Sequence, residues 1–235
     1  PAGRPERLRI GFTTCARYGQ SRFHVYRALA TADLDLVVHL GDYIYEDTKA
    51  DVPGREPEPD HDCVTLEDYR ARHLQSRRDP DLQLLHQRHP MVVVWDDHDI
   101  ADNASREGAQ NHDDEEHGPW ADRLTAALQA HHEFLPKRLA DPDDPATPWR
   151  HLDAGDLARI VCTETRAHRD APAGASSTAR TDDPDRTMLG DRLGALADYD
   201  NWCERLSHEL GAVPSRSISD LASRIRKDPV VVVAP

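Results

Sequence analysis

The sequence predicts an α/β chain, α+β in the wider grouping, whose ligand site lies at the carboxyl ends of parallel strands. Three observations carry this. Short apolar runs of strand length recur at 8–13, 34–40 and 91–95. Segments with helical spacing lie between them. Each run stops at a polar cluster, the position where open α/β sheets place their ligands.

The elements follow in chain order. Pro1 to Arg7 reads as a linker. Leu8 to Thr13 is the first strand and delivers Thr14-Cys15-Ala16 to its carboxyl end. Phe23 to Ala30 has helical spacing and leads to the second strand, 34–40, giving a βαβ unit with a right-handed crossover. Residues 47–63, rich in proline and acid, are a surface loop. Thr65-Leu66-Glu67-Asp68 is a capping box that opens a helix through about Arg77. Asp79-Pro80-Asp81 begins a short helix ending near His89. The third strand is Met91 to Trp95, and a polar loop carries Asp96 to Asn103 and the acidic cluster 111–116. Trp120 to Leu135 is helical. Residues 149–152 and 157–163 read as an antiparallel pair with a turn at 153–156. A loop over 167–187, helices at 193–210 and 218–226, and a strand opening at Val230 complete the reading.

Composition narrows the function. The net charge is −14 and there is no basic block, which excludes a nucleic-acid surface built on Lys and Arg. A small phosphorylated substrate remains compatible if metal ions supply local positive charge. No apolar segment reaches the length of a membrane span, and no signal peptide opens the chain. Four cysteines, at 15, 63, 162 and 203, fit no zinc spacing and no dense disulfide framework. Seventeen prolines, many in Asp-Pro steps, point to long ordered loops.

Three strand ends deliver three clusters: Cys15; Asp42, Tyr45 and Glu46; and Asp96, Asp97, His98, Asp99 and Asn103. Neighbouring strands lie roughly 5 Å apart, so the clusters can converge. A thiolate beside a phenolate suits a transition metal such as iron, and the oxygens suit calcium, magnesium or manganese. Two such ions orient a phosphate ester and supply hydroxide from water. Blander readings stand beside these. Asp42 after Gly41 also fits a turn. By spacing alone Tyr45 packs under its loop. Cys15 also fits a small buried hydrophobe or half of a disulfide. His98, flanked by acids, fits a phosphate contact or a proton donor to a leaving group. The run 113–116 reads as a solvated loop, and Trp95 and Trp120 as core.

Leu40 to Glu46 and Trp95 to Asp99 resemble the alkaline phosphatase D (PhoD-like) metallophosphatases. So do Thr65 to Arg70, Asp79 to Gln83, Ala130 to Pro136 and Thr187 to Gly190, all in family order. The resemblance implies a calcineurin-like metallophosphoesterase sandwich of mixed sheets flanked by helices, occupying 8–235. It also implies hydrolysis of phosphomonoesters or phosphodiesters at alkaline pH, iron with calcium as cofactors, and export from the cell. On it, Cys15 matches an iron-binding cysteine, Asp42 the bridging aspartate, Tyr45 an iron-binding tyrosine and Asn103 an asparagine ligand. His98 and Asp97 support the substrate or the ligand shell. Asp102-Asn103 stands where the family often has two asparagines, Asp99 where it has glutamate, and Glu164-Thr165-Arg166 where it has Asp-Thr-Arg. The family's later Gly-Asp-x-His stretch is missing, so the expectation is a C-terminally incomplete domain with part of its metal shell and some apolar sheet surface uncovered. Alternatives on the same frame are a phosphodiesterase or phospholipase D-like hydrolase, or a silent binding relative.

Overall fold

The computed structural model describes residues 7–138, 150–170, 203, 219 and 223. The chain divides into two compact units, Pro1–Ala171 and Pro172–Pro235. In the second, residues 203, 219 and 223 are helical. The rest of the helices expected at 193–210 and 218–226, the strand opening at Val230 and most of the loop 167–187 lie outside the described residues. Everything below belongs to the first unit.

Strands β1 (Ile10–Thr13), β2 (Leu36–His39) and β3 (Met91–Val93) form a parallel sheet with β2 in the middle. The helices are α1 (His24–Thr31), α2 (Leu66–Arg77), α3 (Pro80–Arg88), the single turn α4 (Asp114–His117) and α5 (Trp120–Phe134). An antiparallel hairpin, β4 (Arg150–Ala154) and β5 (Ala158–Cys162), forms a second sheet. This is the expected mixed α/β architecture.

Alternation along β2 divides the core. Val37 packs with Val93, Ala30, Leu82, Leu85, Ala127 and Leu128 on the helical side. Val38 faces the other way and packs with Val92, Ile160 and Cys162, so the hairpin covers part of that side. Phe12, paired with Val38 in register, is 61% exposed, and Leu40 is 48% exposed.

Caps set the helix starts. Thr65 accepts from the Asp68 amide, while Asp68 accepts from the Thr65 amide at 2.8 Å, as the capping box requires. Asp79 caps α3 and Pro80 sits in its first turn. Two segments differ from expectation. The acidic run is not a loop but the turn α4, because Asp113 accepts from the Glu115 amide at 2.8 Å and three acids favour a helix N-terminus. Asp97–Asp99 is a 3-10 turn rather than open loop. Strand β3 also ends two residues early, after which the Trp95 indole donates to Glu164 at 2.9 Å.

Arg72, on α2, is 2% exposed and organises the long loop before that helix. Its guanidinium donates to five main-chain carbonyls: Tyr45, Asp47 (2.6 Å), Glu58 (3.0 Å), Pro59 (3.0 Å) and His61 (3.4 Å). Residues 47–63 are thus an ordered loop.

The core also holds neutral histidines. Burial pushes His39 and His73 down to about 3 and His86 to about 4, and drives His131 well below its usual value. His39 bonds Tyr26 at 2.9 Å and His86 bonds Tyr43 at 2.9 Å. Because the fold resists protonation here, the unfolded chain binds more protons below about pH 6.5. Stability should therefore be full above that pH and fall as acid is added, by up to about 1.4 kcal/mol per pH unit for each such histidine. Urea midpoints measured from about pH 7.5 down to about 5 check this; the midpoint should fall once the pH drops below about 6.5.

Candidate metal centre

The centre is assembled where β1, β2 and β3 end. Pairing continues past the sheet: the Cys15 amide donates to Gly41 O at 3.2 Å, and the Ala16 amide to Asp42 O at 3.3 Å. Gly41 adopts φ 106°, and a Cβ there would lie 2.4 Å from the Asp96 amide nitrogen and 2.5 Å from the Asp96 Cβ. Only glycine allows the end of β2 to lie this close to the chain leaving β3. Among the described residues three non-glycine positions have positive φ: Cys15 at 55°, Asp42 at 52° and Asn103 at 54°. Strained backbone of this kind persists where the surroundings over-determine it, and it concentrates at functional sites.

Asp42 is the hub. Its Oδ2 accepts from the Cys15 thiol at 3.3 Å and from the Tyr45 phenol at 3.0 Å. Its Oδ1 accepts from the His98 amide at 3.3 Å. Burial pushes up the Cys15 thiol, the Asp42 carboxyl and the Tyr45 phenol; repulsion from Asp42 adds to the rise of the thiol and the phenol, and repulsion from Asp97 to that of Asp42, against the bonds it accepts. Each group is thereby held toward its protonated form. A cation at this point would replace those protons and relieve the repulsion, so the donor set fits a metal ion.

The third cluster adjoins it. Donor oxygens of Asp42, Asp96 and Asp97 lie within 4.8 Å of one another, as do donor atoms of Asp97, His98 and Asp102. The His98 Nδ1 lies 2.7 Å from the Glu46 carboxylate. Burial opposes charge on this imidazole, but Glu46, Asp42 and Asp97 outweigh it and raise it to about 9. Asn103 joins through its main chain, its amide donating to Asp97 Oδ2 at 2.8 Å. Its exposed side-chain amide donates to Asp102 at 3.1 Å and Gln110 at 2.7 Å. Of the six residues singled out by sequence, Cys15, Asp42 and Tyr45 touch directly, His98 and Asp97 adjoin them, and Asn103 is tied one step further out.

Other residues enter that had been given no role. Glu46 is fully buried and also accepts from the Asp102 amide at 2.8 Å and the Asn111 side chain at 2.7 Å. Its place one turn beyond Asp42 was the available signal. Arg166 pairs with Asp96 through Nε and lies 3.3 Å from Asp97. Glu164 aims it, accepting from the amides of Arg166 and Ala167 at 2.6 Å each and of His168 at 3.0 Å. Nothing local in the sequence marks Arg166 as a neighbour of Asp96.

A profile of the PhoD-like phosphatases matches residues 10–194. The chain belongs to the PhoD-like phosphatase family. This PhoD-like chain is 32% identical over 200 residues to alkaline phosphatase D of Bacillus subtilis (strain 168), covering 81% of itself and 34% of that protein. A solved structure titled "Structure of PhoD" superposes with a TM-score of 0.64 at 33% identity, covering 74% of this chain and 34% of that one. The PhoD-like chain thus spans about a third of the length of the relatives it matches.

Gly41→Ala should lower stability by about 1–3 kcal/mol from the positive φ alone, with the clash against Asp96 adding to it. The urea midpoint measures the loss.

Proposed function

We propose that the chain contributes the metal-binding strand ends of a metal-dependent phosphoric ester hydrolase acting on small phosphomonoesters or phosphodiesters. The family supports the reaction class. The observation that carries the site is the single Asp42 oxygen shared by a thiol and a phenol. That pair selects a transition metal, iron above the others, and the oxygen-rich neighbourhood suits calcium, with magnesium or manganese in its place.

Cys15, Asp42, Tyr45 and Asn103 are the residues that would hold the ions. Bound ions supply positive charge against the phosphate oxygens and a nucleophile from water. The protein's own groups do the rest. Glu46 fixes His98 through Nδ1, leaving Nε2 to carry a proton to the leaving oxygen. Asp97 braces the Asn103 main chain and, with Asp96, holds Arg166 at the edge of the cluster.

Hydrolysis of p-nitrophenyl phosphate and bis-p-nitrophenyl phosphate with added ferric and calcium ions tests this. A chelator should abolish turnover and metal should restore it. His98→Ala should lower kcat by about 10²–10⁴-fold. Tyr45→Phe should remove a visible phenolate-to-iron absorption. Failure to take up metal, with no hydrolysis of either ester, would sink the proposal.

A further inference from the structure

Tyr45 is packed by two cation-bearing groups. The Arg17 guanidinium carbon lies 3.8 Å from its ring centroid. The His98 imidazole lies 4.5 Å away, centroid to centroid, with the planes at 32°. Arg17 comes from the segment after β1, two residues beyond Cys15, so one short stretch brings both a thiol and a guanidinium to the centre. Its terminal nitrogen pairs with Asp47, two residues beyond Tyr45. Asp47 also accepts from the Lys49 amide at 3.2 Å and lies 3.2 Å from the Lys49 ammonium. The Arg17 and Asp47 side chains are 13% and 12% exposed, so this pair is shielded from solvent.

We infer that Arg17 is a positioning residue for the metal site: anchored by Asp47, it pins the Tyr45 ring so that the phenol oxygen stays on Asp42. The inference rests on the metal-binding reading of Tyr45. Its physical basis is the number of free torsions. A tyrosine on a loop can swing away from a ligand position, and a planar guanidinium packed on its ring removes that freedom. Partners that orient a metal ligand without touching the metal commonly change affinity about 10–100-fold when removed.

Ferric ion titrations of the complete chain, read by the visible absorption and by metal content, test it. Arg17→Leu should weaken ferric binding about 10–100-fold and diminish the band. Arg17→Lys keeps the charge but not the planar fork, and should fall between wild type and Arg17→Leu. Thermal midpoints of the metal-free proteins separate a loop tie, which would lower stability and leave the affinity of the folded protein unchanged. Wild-type affinity and band in Arg17→Leu, with the band lost in Tyr45→Phe, would overturn the role of Arg17 and leave the site intact. A band surviving Tyr45→Phe would overturn both readings. Should Arg17→Leu not fold, wild-type affinity in Arg17→Lys counts against the inference.

Discussion

The close approach of Gly41 to the backbone at Asp96 is the constraint on which the centre depends. It brings the end of β2 against the chain leaving β3 with no side chain between them. Asp42 then has to turn into a left-handed conformation, and its carboxylate meets the His98 amide on one side and the Cys15 thiol on the other. Asp99 reinforces the junction from beneath, accepting from the amides of Tyr43 at 2.9 Å, Ile44 at 3.2 Å and Asp96 at 2.9 Å. One buried carboxylate thus ties both strand ends into a single loop assembly.

The electrostatics follow from this crowding. Several carboxylates face a small volume, and the cationic side chains that reach it each come from a different segment: Arg17 after β1, His98 after β3 and Arg166 after β5. None of them neutralises the Cys15, Asp42 and Tyr45 group completely, which instead shares protons internally. Such an arrangement is expensive for folding alone and reasonable for a place that accepts positive charge from outside.

Much of this was readable in the residues. The three strands, the capping box at Thr65, the proline start at Pro80 and the hairpin after Arg150 all follow from local rules and agree with the fold. Asp42 could be named because it follows a strand end, whereas Cys15 and Tyr45 were singled out by the resemblance to the PhoD-like family, spacing alone leaving Tyr45 packed under its loop. What escaped was of two kinds. Single-turn elements such as Asp114–His117 depend on one capping bond, which composition does not separate from a solvated acidic loop. Arg17 and Arg166 act across the chain, and no pattern within either segment points to the acid or ring it meets. The Asn103 side chain was expected among the ligands, whereas its main chain makes the connection to Asp97, a distinction that only coordinates supply.

Arg72 has a consequence for how this molecule can change over time. It reads main-chain carbonyls from residue 45 to residue 61, and carbonyls are identical in every amino acid. Apart from buried side chains such as Asp47 and Arg55, the path of that loop is therefore set without regard to the side chains it displays. Its outward residues are free to drift, and so to be reshaped for new ligands, while the segment bearing Tyr45 keeps its course.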